Sequence, residues 1–285
     1  MTDKKEKGKL FLCGTPIGNL SDASERLKRT LEEVELIAAE DTRESVKLLN
    51  YFEIKNKLFS YHEHNKIEAG AYLVDRLLDG MNVALVSDAG MPGISDPGED
   101  LVKLCIEKGI EIIPIPGPTA AISALVVSGL SCERFVFEGF LPKGKKDRKQ
   151  RLEEIVNETR TMIFYEAPHR LLDFLKEIEK SFGNRKISVS REITKKFEEC
   201  RRGRIDEIIA YFDEKGVRGE FVIIVEGNQE NPIEIFKKRW DNISVEDHVA
   251  IYIREGLDKR DAIKRVANDR GLSKRDIYNS CIDKE

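Results

Sequence analysis

The chain has 285 residues, with 48 Lys and Arg against 52 Asp and Glu, for a formal net charge of −4. That length suits two packed domains plus a tail, and the mild acidity excludes a wholesale cationic coat for nucleic acid while permitting local basic patches. Five scattered cysteines (Cys13, Cys105, Cys132, Cys200, Cys281) form no CxxC pair and have no histidine at ligand spacing, so neither a zinc site nor a disulfide framework is expected.

The opening MTDKKEKGKLFL is charged and then strand-like, without an apolar signal core. No later run is long and apolar enough to span a bilayer. A soluble cytoplasmic protein is expected. Short apolar runs then alternate with helical patterns: Leu10 to Cys13, Leu36 to Ala39, Val83 to Val86 and Ile110 to Ile115 read as strands. That alternation predicts an α/β sheet. Asp22 with Glu25, Asp41 with Glu44, and Asp96-Pro97 with Glu99 each place a cap and then an acid three residues on, which predicts helix starts.

Four Gly/Pro-rich or polar loops follow these strands: GTPIGNL (Gly14 to Leu20), AAEDTR (Ala38 to Arg43), SDAGMPGISDPG (Ser87 to Gly98) and PGPTAAIS (Pro116 to Ser123). Loops gathered at the carboxyl ends of parallel strands are the default ligand site of such sheets. The third loop has glycines at 90, 93 and 98 for close backbone approach and prolines at 92 and 97 for stiffness. It lacks GxGxxG and GxxxxGK[ST], and Asp88 would repel phosphate, so a neutral or cationic ligand suits it better. A cap before Pro97 accounts for Asp96; no such structural role is evident for Asp88.

After an apolar helix (Thr119 to Ser128) come FVFEGFLP and the polar KGKKDRKQR (Lys143 to Arg151), read as a junction between two lobes. The second lobe repeats the α/β style with Met162 to Tyr165, a helix opening at Pro168, Ile187 to Ser190, and Phe221 to Val225. From about Asn231 the chain turns to short charged helices, and Asp261 to Tyr278 reads either as a helix-turn-helix or as a plain helical hairpin. The expected division is an N-terminal lobe over 9–117, a second lobe over 118–230 and a helical region over 231–285.

Taken together, GTPIGNL, AAEDTR, SDAGMPGISDPG, PGPTA, FEGFLP, FYEAPHR (Phe164 to Arg170) and REITKKFEE (Arg191 to Glu199) closely resemble the ribosomal RNA small-subunit methyltransferase I family. The resemblance runs from about residue 9 to the last residues. One departure is Met91, where the family usually has Thr. The resemblance implies the two-lobed tetrapyrrole-methylase fold and S-adenosylmethionine as cofactor. It also implies 2′-O-methylation of a cytidine in the decoding region of small-subunit 16S rRNA, and a homodimer. The cofactor is net positive, which agrees with an aspartate in place of a phosphate cradle.

On that resemblance, Ser87, Asp88, Ala89, Gly90, Gly93 and Ile94 wall the cofactor pocket, joined by Pro16, Thr119, Ala120 and Tyr165. The AAEDTR loop supplies the catalytic candidates: Glu40 or Asp41 near the acceptor hydroxyl and Arg43 on a phosphate, although Asp41 with Glu44 also reads as a capping box. His62, His64 and His169 are alternatives for proton transfer or merely solvated. RNA binding needs phosphate neutralisation, which points to Lys143, Lys145, Lys146 and Arg148 in one basic segment and to Lys195 and Lys196 in a second, near Arg201, Arg202 and Arg204. Phe140, Tyr165 and Phe197 are candidate platforms for an unstacked base. The competing readings are a methyltransferase of the same fold acting on a tetrapyrrole or other small molecule, and a non-enzymatic rRNA-binding assembly factor.

Overall fold

The computed structural model describes residues 6–229, 240 and 243–281. The start of the helical region expected from residue 231 therefore lies outside the described residues. The chain forms two compact units, one of residues up to 153 with 161–226, the other of 154–160 with 227–285.

The first unit holds two sheets. In the first, β1 (Lys9–Cys13), β2 (Leu36–Ala39), β3 (Leu58–Ser60), β4 (Val83–Val86) and β5 (Glu111–Ile115) lie in the order β3-β2-β4-β1-β5, all parallel. The runs LIAA and VALV are buried at every position, as parallel strands covered on both faces must be. Alternate residues serve opposite layers. Leu36, Ala38, Val83 and Leu85 pack with Leu73, Leu77, Leu101 and Cys105 of α3 (Lys66–Leu78) and α4 (Gly98–Glu107). Ile37, Ala39, Ala84 and Val86 pack with Leu27, Leu31, Leu48 and Leu49 of α1 (Glu25–Glu33) and α2 (Thr42–Tyr51).

The chain leaves this sheet once, through Pro116-Gly117-Pro118 into α5 (Ala120–Ser128). The second sheet is mixed: β6 (Phe135–Phe140), β7 (Thr161–Glu166), β10 (Phe221–Val225), β8 (Lys186–Arg191) and β9 (Glu199–Arg204), in that order, with only β6 and β7 parallel. Ala121, Ala124 and Leu125 of α5 are buried against Ile163, Val222 and Ile224 on one face. Phe164 meets Phe174 of α7 (Leu171–Phe182) on the other, and α8 (Ile205–Lys215) follows β9. The segment FVFEGF, read from the sequence only as a junction, is thus an edge strand, and α6 (Lys145–Ile155) carries most of the basic run that follows it.

All three helix starts differ in detail from the expected ones; at α4 the N-cap position is Pro97, without a side-chain cap, and Glu99 pairs with Lys103. Asn19 caps a 3-10 turn at Leu20–Asp22, and Ser24, not Asp22, caps α1 by accepting from the Leu27 N–H at 3.0 Å. Asp41 does cap α2, but Glu44 does not close a capping box; it pairs with Lys47 at 2.7 Å.

In the second unit, α9 (Val245–Arg254), α10 (Lys259–Arg270) and α11 (Lys274–Ser280) enclose Val249, Ala262, Ile263, Val266, Ala267 and Ile277. Ser244, Asp258 and Ser273 cap them in turn, and Gly271 ends α10 in the left-handed region at φ 63°. No helix among the described residues is long and apolar enough to cross a membrane.

Candidate active site

The loops at the carboxyl ends of the parallel strands are fastened to one another. Thr15 and Gly90 exchange backbone hydrogen bonds of 2.9 and 3.1 Å, with Gly90 at φ 84°, where a side chain would be strained. Gly14 and Gly117 touch backbone to backbone: a Cβ on Gly117 would fall 2.5 Å from the Gly14 carbonyl oxygen. Asp96 closes the third loop on itself, accepting from the Gly93 and Gly98 N–H groups at 2.8 Å each. Its role is thus structural, but not the expected cap before a first-turn proline: Pro97 itself stands at the N-cap position and α4 begins at Gly98.

Asp88 has the structural partner the sequence did not reveal. Its Oδ1 accepts from the Asp41 N–H at 2.9 Å, taking the donor that a capping-box Glu44 would have used. The third loop thus holds the start of α2. Asp41 in turn receives the Arg43 N–H at 2.8 Å and the Arg43 guanidinium at 2.6 Å. This pairing holds the Asp41 carboxyl pKa at about 2 and ties Asp41 to Arg43 Nε and Nη2, while the Arg43 side chain stays exposed.

These loops form one wall of a cleft of about 520 Å³, within the usual range for small-molecule sites. Ile17, Glu40, Ser87 to Met91, Ile94 to Asp96, Thr119 and Ala120 line it from the first sheet, and residues at the ends of β6, β7, β8 and β10 from the second. Grooves of about 650 Å³ beside α3 and α4 and about 510 Å³ beside α2 are built of helix flanks and strand starts, without this convergence of loops. Among the described residues, six carboxylates (Glu40, Asp88, Asp96, Glu166, Glu192, Glu220) and one cation, Lys195, line the cleft. Burial pushes the Glu40 carboxyl up, with Asp88 adding to it, and desolvation likewise raises Asp88. A cationic ligand would reverse both effects.

Of the expected cofactor-binding residues, Ser87, Asp88, Ala89, Gly90, Ile94, Thr119, Ala120 and Tyr165 line the cleft, while Pro16 is buried beside Ile17, and Gly93 lies behind the wall on Asp96. The Tyr165 hydroxyl accepts from the Ala121 N–H at 3.2 Å, and its ring meets Phe137 and Phe140 edge-on. Met91 lines the cleft with its sulfur against Gly14. Glu40 is the member of the AAEDTR loop that reaches the cleft; Asp41 and Arg43 do not line it, nor do His62, His64 and His169.

The basic residues divide. Lys143, Lys145, Lys146 and Lys196 are exposed. Arg148 is buried: its Nη2 donates to Glu177 Oε1 at 2.7 Å, and its Nη1 to the Lys143 carbonyl at 3.3 Å. It braces the segment from beneath. Lys195 lines the cleft instead of the outer surface.

Three lining carboxylates, Glu166, Glu192 and Glu220, were not singled out from sequence, nor was Phe221 as a site residue. Glu166 and Glu192 sit inside FYEAPHR and REITKK, so a signal existed; Glu220 and Phe221, at the start of β10, had none. Glu166 is buried, with Oε1 taking the Ala167 N–H at 2.8 Å and lying 3.3 Å from Arg170, and with Oε2 unpartnered among the described residues.

The family model described as Tetrapyrrole (Corrin/Porphyrin) Methylases matches residues 9–209. A protein of Halalkalibacterium halodurans named ribosomal RNA small subunit methyltransferase I is 52% identical over 278 residues, 97% of this chain and 95% of that one. One of the same name from Bacillus subtilis is 44% identical over 277 residues, with 97% and 95% covered. Among solved structures, uroporphyrin-III C-methyltransferase of Thermus thermophilus, complexed with S-adenyl homocysteine, superposes with a TM-score of 0.56 at 17% identity. It covers 77% of this chain and 97% of its own, and at that identity the likeness speaks for the fold. The strand-end cleft and the near-complete coverage agree: this chain belongs to the ribosomal RNA small subunit methyltransferase I family, within the tetrapyrrole methylases.

Proposed function

We propose that this protein transfers a methyl group from S-adenosylmethionine to the ribose 2′-oxygen of a cytidine in the decoding region of 16S rRNA, acting in the cytoplasm as a homodimer. The observation that carries the reading is kinship over 97% of the chain with proteins named for small-subunit rRNA, together with a cleft lined, among the described residues, by six carboxylates and one lysine. The donor set fits the cofactor: carboxylates complement a sulfonium and an ammonium, and Ile17, Ile94 and Val222 offer apolar surface. Ser87 to Gly90, Ile94, Thr119, Ala120 and Tyr165 would hold it, with Pro16 and Gly93 supporting that wall. When bound, S-adenosylmethionine supplies a methyl group made electrophilic by the sulfonium.

The chain's own task is placement, which is worth roughly 7–11 kcal/mol relative to free encounter. Glu40, half-buried and raised by desolvation, takes the hydroxyl proton, a contribution of about 10²–10⁴-fold. Asp41 and Arg43 hold the loop that presents it, with exposed Arg43 available to a phosphate. Lys143, Lys145, Lys146 and Lys196 supply exposed charge for the RNA backbone. The test is transfer of labelled methyl from S-adenosylmethionine to small ribosomal subunits, free rRNA and a tetrapyrrole in parallel. Label in a ribose 2′-oxygen of the subunit RNA is expected. Label in the tetrapyrrole alone would favour the small-molecule reading, and cofactor binding without any transfer would favour the assembly factor.

A further inference from the structure

Resting on that reading, we propose that Lys195 is a catalytic residue, whose ammonium donates a hydrogen bond to the attacking ribose oxygen, instead of being a surface contact for RNA phosphate. Lys195 is the one cation among the described residues that line the cleft. Its Nζ lies 3.1 Å from Glu192 Oε1 and 2.8 Å from Glu220 Oε2, both also cleft-lining. An ammonium has three donors; two go to these carboxylates, and the third has no partner among the described residues.

Charge decides what that third donor can serve. Lys195 with Glu192 and Glu220 sums to −1, so the trio does not attract a full anion such as a phosphate or the cofactor's carboxylate. It suits a neutral hydroxyl whose oxygen gains negative charge as its proton moves to the base ahead of O–C bond formation, which is when a preorganised donor gives most.

The surrounding backbone is built to fix this lysine. Glu192 and Thr194 both occupy the left-handed region, at φ 50° and 67°, where residues other than glycine are uncommon. The Thr194 hydroxyl is buried without a partner among the described residues. Such strain is held in place by its surroundings and gathers at functional sites. From the first lobe, Gly18 presses on the same loop: a Cβ there would fall 2.4 Å from Lys195 Cγ and 2.9 Å from Thr194 Oγ1. The lysine stem is thereby pinned between the lobes while its head faces the cleft.

In the step so assisted, the 2′-O–H bond breaks as its proton passes to Glu40, ahead of the oxygen lone pair forming the new O–C bond while the C–S pair returns to sulfur. Lys195 remains an ammonium throughout.

The test compares Lys195→Met and Lys195→Arg in single-turnover methyl transfer to small ribosomal subunits, with calorimetric titration of the cofactor and the subunit KM measured alongside. Lys195→Met is expected to slow transfer about 10²–10³-fold at saturation, with cofactor Kd and subunit KM within about threefold. Lys195→Arg, which keeps the donor, is expected to recover at least a tenth of the rate. Unchanged saturated rate with a raised KM and a shallower salt dependence would make Lys195 a phosphate contact and overturn the proposal. So would weakened cofactor binding with an unchanged rate. If the unmodified protein binds cofactor and methylates no RNA, the acceptor assignment itself fails, and this proposal with it.

Discussion

At the residue scale, the hydrogen bond that Asp88 makes and the cofactor contact proposed for it can be separated by substitution. Asp88→Asn keeps an oxygen for the Asp41 N–H but removes the charge, whereas Asp88→Ala removes both. We expect the Asn variant to bind S-adenosylmethionine about five- to tenfold more weakly, roughly 1 kcal/mol, with an unchanged melting temperature, and the Ala variant to lose thermal stability as well. The pH dependence has a definite sign. Asp88 and Glu40 are raised in the folded protein, so the folded state binds protons more readily than the unfolded chain. Acidification toward the ordinary carboxylate range near 4 therefore adds stability through these groups while weakening the hold on a cation. Titrations at several pH values should show affinity falling before stability does; affinity that stays flat through the ordinary carboxylate range near 4 would remove both groups from cofactor binding. The sequence displayed Asp88 as a residue without a structural role because its partner is a backbone N–H 47 positions away, and no local pattern encodes that pairing. Asp96 was legible because its partners are two and three residues distant.

At the scale of elements, the apolar strands were plain in the sequence because burial on both faces leaves an uninterrupted hydrophobic run, as in LIAA, VALV and FVIIV. Three strands were not. β3 has only three residues, β6 alternates exposed and half-buried positions on a sheet edge, and β9, ECRRGR, looks like a charge cluster because it too is an edge strand. Helix α6 shows the same limit for a site: four basic residues were read as one RNA surface, yet Arg148 points inward to Glu177. Substituting Lys143, Lys145 and Lys146 with Ala together should leave the melting temperature nearly unchanged and reduce the slope of log affinity against log salt by about 2. Arg148→Ala should instead cost about 1–3 kcal/mol of stability in denaturant unfolding, since it strands a carboxylate and frees the Lys143 carbonyl. Equal loss of RNA affinity in both variants, without destabilisation, would contradict this division.

The C-terminal helices carry their own reporter. Trp240, the sole tryptophan in the sequence, stacks on His248 at 3.6 Å between ring centroids. The imidazole is fully buried, accepts from Arg270 Nε at 3.1 Å, and lies 3.6 Å from Asp269, whose Oδ2 also receives the Tyr252 hydroxyl. Burial first, and Arg270 second, lower its pKa. Folding favours the neutral ring, so this stabilisation is complete above about 6.5 and is lost as pH falls below that value. Tryptophan emission should stay constant through the range near 6.5 where a free imidazole takes up its proton and change only below it, and that acid change should vanish in His248→Gln. An emission change centred on the ordinary imidazole value would show that the stacked ring is not held neutral by folding.

At the scale of the whole molecule, every strand of the first sheet precedes residue 116, every strand of the second follows residue 134, and both supply the cleft wall. The single crossing at Pro116-Gly117-Pro118 has a practical consequence for genetics. A gene interrupted within the exposed turn at 131–134 would encode two polypeptides, each bearing half of the methylation site. The first would still carry α5, whose Ala121, Ala124 and Leu125 are complementary to the sheet of the second. That helix is a ready-made adhesive, so the severed gene offers a split reporter whose output is a permanent chemical mark on RNA.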